Sequence, residues 1–242
     1  MTDWSALTHA YGSADDLPAM LQSLGPGANE GWSELWSRVC HQGSVYPASA
    51  AVMPHLLEMA ERWPGAERFS PIHLAGAIVA SQDVADGCDF RPYRHDIERL
   101  AALGLDTLVA CKLPREEFIY LLQATLALEG DMVWGRQLEG LVDGEFVGDC
   151  PTCCTPLQIV IGDHGFFVTD DEWVNRPDQP RRAIVACDAT ALPAVGARLH
   201  RIAREAGRPE VAHSLTHVFG RSTCPACHGA LSITAAIANV ED

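Results

Sequence analysis

Apolar side chains recur at intervals of three and four residues along most of residues 2–142, with polar residues between them. That period is typical of amphipathic helices, and it predicts that this region is helical almost throughout. Pro114 followed by Arg-Glu-Glu predicts the start of the most regular helix, because proline and carboxylates suit a first turn. The clearest apolar runs are residues 17–24, 32–39, 52–59, 72–79 and 118–128.

Capping residues, proline and glycine divide this region into separate helices. Asp3 predicts the cap of a short helix at the beginning of the chain, and another helix is expected to begin near Asn29. Pro54 lies inside an expected helix and predicts a kink there. Gly104 predicts the end of one helix and the start of the next.

From Cys150 onward the helical spacing of apolar residues is replaced by an alternation of apolar and polar residues. Residues 157–161 alternate and are rich in β-branched side chains, and residues 166–169 predict the returning strand of a hairpin. A further short strand is expected near residues 184–186, after a polar loop that contains Pro177. The sequence therefore predicts a small β element in this part of the chain.

Two helices are expected after this β element, the first capped by Asp188 and the second beginning at Pro209. Together they predict a helical-pair insertion at about residues 188–219. The predicted fold class is mainly α. A helical domain over residues 1–145 is expected to precede a second region, residues 146–242, that holds the β element and the insertion.

The helical region resembles HEAT and armadillo repeats. Two expected helix starts, near Asn29 and at Ser70, lie 41 residues apart, and Pro54 falls inside a repeat helix. Residues 32–60, WSELWSRVCHQGSVYPASAAVMPHLLEMA, are similar to a segment of uncharacterised bacterial HEAT-like proteins. The resemblance implies stacked antiparallel helix pairs, which form an α-solenoid. Some members of that broad group are thought to be immunity proteins against toxins, so the resemblance also implies an immunity-type role.

Two short motifs of one form, CPTCCTPL and CPACHGAL, begin at Cys150 and Cys224. A Cys-x2-Cys turn lets two thiolates converge on one cation, and two such turns supply the four ligands of a tetrahedral zinc site. The alternatives are unrelated thiol turns or redox-active dithiols. The motifs resemble the knuckles of zinc ribbons, and they predict a Zn2+ ion with the ligands Cys150, Cys153, Cys224 and Cys227.

The two motifs depart from the zinc-ribbon pattern after the second cysteine, where ribbons usually carry glycine. Cys154 and His228 stand at these positions, and Cys154 is an alternative ligand. About seventy residues separate the motifs, which predicts a folded insertion between them. Four thiolates leave no open coordination position for water, so the expected zinc is structural rather than catalytic.

The composition, 48% hydrophobic and 20% charged, is that of a folded chain, and acidic residues outnumber basic ones by 32 to 17. With a boundary at Cys150, the net charge is −13 before it and −2 after it. Nucleic acid is therefore not expected as a ligand, whereas a basic protein or a cationic small molecule would be attracted. The lack of an 18-residue apolar run and the odd count of nine cysteines predict a cytoplasmic protein without a membrane segment.

Sequence signatures of common catalytic sites are absent. The chain has no His-Glu-x-x-His, no Gly-x-Ser-x-Gly, no Walker phosphate loop and no Gly-x-Gly-x-x-Gly. A nucleobase deaminase is excluded, because no histidine is followed two residues later by glutamate. His213 and His217, four residues apart on an expected helix, could clamp a metal ion, although that spacing also arises by chance.

The connection from His41 to Tyr46 is the main candidate surface in the helical region, because loops between helices present binding residues. His41, Gln42, Tyr46 and His55 are its expected members, and a purely structural turn is the alternative. The leading hypothesis is a non-enzymatic, acidic protein-binding module, of an immunity or regulatory type, with a structural zinc. The alternative is an enzyme or a small-molecule-binding component of a biosynthetic pathway, in which His73 and His95 would join these four residues.

Overall fold

The computed structural model describes residues 2–26, 30–172, 174 and 180–239. It divides into two compact units, Met1–Leu138 and Glu139–Asp242. The protein is mainly helical with small antiparallel sheets, as the sequence predicted at that level. Within the described residues, no helix combines the length and the apolar character that crossing a bilayer requires. The expected helix start at Asn29 and the loop residue Pro177 lie outside the described residues.

The first unit begins with a 3-10 turn and a two-stranded hairpin and is otherwise helical. Its strands are β1 (Thr8–His9) and β2 (Gly12–Ser13). Its helices are α1 (Leu17–Ser23), α2 (Glu30–Val39), α3 (Pro47–Ala51), α4 (Met53–Arg62), α5 (Phe69–Ala80), α6 (Arg94–Ala110), α7 (Arg115–Leu128) and α8 (Trp134–Gln137).

Helix α7 forms the centre of the first unit. It packs against α5, α6 and α8, and its buried residues lie on nearly every side of the helix. Two glycines allow the close approach. A Cβ at Gly76 of α5 would lie 2.4 Å from the backbone of Ala124, and a Cβ at Gly104 of α6 would lie 2.4 Å from Thr125 Oγ1. Helix α7 therefore approaches the backbones of α5 and α6 closely at these two glycines, where a larger residue would not fit.

Three details of the predicted helices are wrong in the first unit. Asp3 caps only a 3-10 turn, Trp4–Ala6, because the chain then turns into the β1–β2 hairpin. The helix expected to kink at Pro54 is instead broken at Val52, and Pro54 lies in the first turn of α4, where its missing N–H costs nothing. Gly104 does not end a helix, because its role is the contact with Thr125 inside the continuous α6.

The second unit contains two antiparallel sheets and a helical pair. One sheet has the strand order β3 (Glu145–Asp149), β4 (Pro156–Gly162), β5 (Gly165–Thr169) and β6 (Arg182–Ala183). The other pairs β7 (Arg221–Thr223) with β8 (Ala230–Ser232). The helices are α9 (Gly140–Asp143), α10 (Ala194–Glu205), α11 (Pro209–Val218) and α12 (Ile233–Ala238).

The predicted hairpin of the second unit is present as β4 and β5, and α11 begins at Pro209 as expected. The strand expected near residues 184–186 is displaced, because β6 ends at Ala183 and only Val185 makes a further bridge, to Arg221. Asp188 caps a 3-10 turn rather than a long helix, since α10 begins only after Pro193.

Candidate metal centre

Each Cys-x2-Cys motif forms the loop of a β-hairpin in the second unit. The first motif connects β3 to β4, whose ends pair at Asp149 and Pro156. The second connects β7 to β8, whose ends pair at Thr223 and Ala230. The flanking strands thus hold both ends of each loop and fix the position of its cysteines. The strands β3, β7 and β8 were not predicted from the sequence.

The two loops share one backbone hydrogen-bond pattern. In the first, the N–H of Cys150 donates to the carbonyl of Thr155 at 3.0 Å, and the N–H of Cys154 donates to the carbonyl of Cys150 at 2.8 Å. In the second, Cys224 donates to Gly229 at 2.9 Å, and His228 donates to Cys224 at 3.0 Å. The two motifs are therefore two copies of one knuckle in three dimensions as well as in sequence.

The residue after the second cysteine of each knuckle has a left-handed backbone. The φ angle is 57° at Cys154 and 61° at His228, in the region that favours glycine. This conformation explains why glycine is usual at the position. Neither Cys154 nor His228 belongs to the group of potential ligand atoms.

The sulfur atoms of Cys150, Cys153, Cys224 and Cys227 lie within 4.8 Å of one another. The sulfur of Cys150 is 3.9 Å from that of Cys227, and the sulfur of Cys153 is 3.8 Å from that of Cys224. A tetrahedron with zinc–sulfur bonds of about 2.3 Å has edges of about 3.8 Å. A disulfide would need about 2.05 Å. The arrangement therefore fits one metal ion, with zinc as the ion that four thiolates suit best, and does not fit a disulfide.

Burial differs within each knuckle. Cys150 and Cys224 are buried, whereas Cys153 and Cys227 are exposed. Burial raises the pKa of the Cys224 thiol to about 11, because a buried thiolate loses its hydration. The hydroxyl and the N–H of Thr155 lower the pKa of Cys153 to about 6 by donating to its sulfur. A cation among the four sulfurs would favour the thiolate at both positions.

Arg182 lies beside the second knuckle, with Nη2 3.4 Å from Nδ1 of His228. Its Nε is buried and has no hydrogen-bond partner among the described residues. Four zinc-bound thiolates would carry a net negative charge, which a nearby guanidinium would partly offset. If all four sulfurs bound one zinc ion, no coordination position would remain for water or substrate.

His213 and His217, the other predicted metal-binding pair, have ring centroids 4.8 Å apart. His217 is buried, its ring stacks on Phe166 at 3.8 Å, and its Nδ1 lies 3.2 Å from the carbonyl oxygen of His213. Burial lowers the pKa of His217. The stacking on Phe166 and the contact with the carbonyl of His213 show that His217 is a packing residue, whereas His213 is exposed.

In the first unit, the predicted surface at residues 41–46 is a tight turn. Gln42 and Gly43 both have positive φ, and the N–H of Ser44 donates to the carbonyl of His41, as in a type I′ turn. The N–H of Tyr46 donates to Ser49 Oγ at 2.8 Å, and the Ser49 hydroxyl donates to the carbonyl of Val39. Tyr46 therefore serves the start of α3, whereas His41 and Gln42 keep accessible side chains.

Tyr11, at the tip of the β1–β2 hairpin, lies against this turn. Its side chain is 60% exposed, its hydroxyl lies 3.2 Å from Nδ1 of His41, and the guanidinium of Arg38 lies over its ring. The loop at residues 83–89 also contacts this turn, because Val45 pairs with Val84 and Ser44 donates to Asp83. Sequence reasoning missed Tyr11, since nothing in the sequence signals its contact with a histidine 30 residues away.

The remaining candidate histidines have environments of their own. His55 contacts Trp4 and lines a cavity of about 210 Å3 with residues of α1 and α4. His73 is half-buried among Trp36, Phe69 and Tyr120, and burial lowers its pKa to about 4. His95 is exposed on α6. The aromatic partners of His41, His55 and His73 thus differ.

Comparison of the chain with protein-family models, curated proteins and solved structures gives no match. The expected HEAT or armadillo solenoid therefore gains no support from a relative and stays a prediction. The geometry alone shows a group of four cysteines at metal-binding distance in a mainly helical protein.

Proposed function

We propose that the protein is a non-enzymatic binding module that recognises a basic protein through its first unit, while a zinc ion stabilises its second. The observation that carries the proposal is the exposed aromatic and polar surface at the tip of the β1–β2 hairpin. We call it the Tyr11 surface. It consists of Tyr11, His41 and Gln42, together with Val84 of the loop that pairs with Val45.

The composition of the Tyr11 surface supports protein binding. Tyr11 is 60% and Val84 is 47% exposed, although large apolar side chains are usually covered. Tyrosine is enriched among the residues that dominate binding energies at protein interfaces. The turn below is fixed by backbone pairing with residues 83–85, so little conformational entropy is lost there on binding.

Charge supports a basic partner. The unit Met1–Leu138 holds 18 acidic and 9 basic residues, a net charge of −9. Asp83 and Asp86 are exposed in the loop that pairs with Val45. Such a field attracts cationic partners and speeds their association at low salt. An immunity-type role, in which the partner is a basic toxin, or a regulatory role would use the surface in the same way.

A photo-crosslinking amino acid at Gln42 tests this proposal in the native cell. The control carries the same group at Val109, which is 46% exposed on α6. We expect the Gln42 position to capture a basic protein that the Val109 position does not capture. Binding of that purified protein should weaken by about tenfold or more in Tyr11→Ala and remain unchanged in Val109→Ala.

Salt dependence completes this test. Because exposed charges are screened at high ionic strength, binding of a basic partner should weaken as salt is raised from about 0.1 to 1 M. Three results would contradict the proposal. They are capture of acidic proteins only, equal capture from both positions, and a Tyr11→Ala variant that binds as well as the unchanged protein.

A further inference from the structure

A cavity of about 590 Å3 opens in the second unit where the end of α11 meets β7 and the segment before α10. All of its lining residues belong to this unit, and none is one of the four clustered cysteines. Cavities of roughly 300–1,000 Å3 are the usual size of sites for small ligands. The zinc group does not use this space, so the cavity has no role in the function proposed above.

Close backbone packing builds the cavity. The N–H and the carbonyl of Val185 pair with the carbonyl and the N–H of Arg221 at 2.8 and 3.0 Å, which fixes one wall. A Cβ at Gly220 would lie 2.5 Å from the carbonyl oxygen of Val185, so only glycine allows this approach. Phe219 packs closely against Gly196 of α10. The cavity is therefore formed before any ligand binds.

The lining combines apolar surface with a single cation. Val185, Ala191, Pro193 and Phe219 supply apolar contacts, and Val185 is 70% exposed, the highest value among the large apolar residues of the described chain. Arg221 is the charged residue of the lining. Within the described part of the chain, its guanidinium has no hydrogen bond and no ion pair.

We infer that this cavity binds a small organic anion whose carboxylate or sulfonate pairs with Arg221 and whose apolar body lies against Val185 and Phe219. The planar guanidinium offers two parallel donors to such a group. Burial of exposed apolar surface supplies the rest of the affinity. The second unit is itself acidic, with 14 acidic and 8 basic residues, so a polyanion such as nucleic acid is not the expected occupant.

The probe for this inference is 8-anilinonaphthalene-1-sulfonate, which joins an apolar aromatic body to one sulfonate. With zinc-loaded protein, we expect saturable binding of one molecule per chain in a fluorescence titration. Arg221→Gln should weaken binding about tenfold, as the loss of one charge-assisted pair implies. Ala191→Phe, which fills the cavity, should abolish it. Arg201→Gln is the matched control, because Arg201 pairs with Glu205 on α10, away from the lining.

A second readout needs no variant. The thiol of Cys187 lines the cavity and is half-buried, whereas Cys154 is an exposed thiol outside the lining. Saturating probe should slow alkylation of Cys187 by iodoacetamide and leave Cys154 unaffected, as peptide mass spectrometry would measure. Any of three results would overturn the inference. They are the absence of saturable binding, equal alkylation of Cys187 with and without probe, and unchanged affinity for the probe in Arg221→Gln.

Discussion

Cys154 occupies a backbone conformation that residues with a side chain rarely hold. Its φ of 57° places it in the left-handed region, where a non-glycine residue costs about 1–2 kcal/mol. The same holds for His228 in the second knuckle, at 61°. Both positions directly follow a clustered cysteine, so this strain falls on the turns that bring the sulfurs together.

Replacing Cys154 by glycine therefore tests its role. If Cys154 serves only the turn, Cys154→Gly should keep one zinc ion per chain and raise the free energy of unfolding by about 1 kcal/mol. Urea unfolding at a fixed free-zinc concentration and metal analysis measure the two quantities. As a control, Cys224→Ser should lose the zinc. A fall in zinc content in Cys154→Gly would instead identify Cys154 as a ligand.

His73 gives a prediction about pH. Its pKa is lowered to about 4 by burial, whereas an unfolded histidine titrates near 6.5, so the unfolded state binds more protons between these values. Its contribution is fully present above pH 6.5 and is lost as pH falls toward 4. The loss is on the order of 3 kcal/mol. Below pH 4 both states are protonated, and this histidine causes no further change.

The variant His73→Phe should remove this part of the pH dependence, because phenylalanine keeps the ring among Trp36, Phe69 and Tyr120 but cannot titrate. Urea unfolding at pH 7, 5.5 and 4.5 provides the comparison with the unchanged protein. The exposed His95 is the control position, because His95→Gln leaves the surroundings of His73 unchanged. Identical pH profiles for His73→Phe and the unchanged protein would show that burial of His73 has no such effect.

At the scale of elements, the contact between α5 and α7 depends on Gly76. A Cβ there would lie 2.4 Å from the backbone of Ala124, and neither helix can move without disturbing α6. Gly76→Ala should therefore destabilise the protein by about 1–3 kcal/mol, although alanine is the better helix former.

Gly25 is the matched control, because no atom of the described residues lies within 4 Å of a Cβ at that position. Gly25→Ala should change the free energy of unfolding by less than about 0.5 kcal/mol. Thermal and urea unfolding of both variants measure the difference. A Gly76→Ala variant as stable as Gly25→Ala would show that α5 and α7 can separate at little cost.

Each feature that the sequence did not predict has a physical reason for being missed. Strands β7 and β8 have only three residues each, too few to show an alternating pattern. Glycine has a low helix propensity, so Gly104 predicted a helix end. Its contact with Thr125 of α7 arises from tertiary packing, which the local sequence does not show. The four clustered cysteines were predictable because zinc imposes a fixed spacing within each knuckle. The sequence predicted His41 and Gln42 of the Tyr11 surface but not Tyr11, because only tertiary folding brings Tyr11 to His41.

At the scale of the whole molecule, the position of the boundary between the two units determines how the net charge divides between them. The units divide at Leu138, so Glu139, Asp143, Glu145 and Asp149 belong with the cysteine motifs. The net charges of the units are −9 and −6, rather than the −13 and −2 obtained with a boundary at Cys150. Both units are therefore acidic, and charge alone does not distinguish a binding unit from a metal-stabilised one.

Metal removal should affect the two units differently. A strong zinc chelator should expose backbone amides of the second unit to hydrogen exchange, because structural zinc supplies much of the folding free energy of small sites. The helices around α7 should keep their protection, since their core is apolar and contains none of the four cysteines. Exchange mass spectrometry measures both, and re-added zinc should restore the protection. Equal loss of protection in α7 would contradict this prediction.

The two knuckles are far apart in the order of synthesis. Cys153 and Cys224, whose sulfurs are neighbours, are separated by 71 residues. At about 5–20 residues per second, a ribosome needs roughly 4 to 14 seconds between them. For that time the nascent chain carries one complete pair of thiols without its counterpart. The newborn protein is then most open to oxidation and to capture of the wrong metal, so its yield in a cell should depend on how fast it is translated and on how reducing the surroundings are.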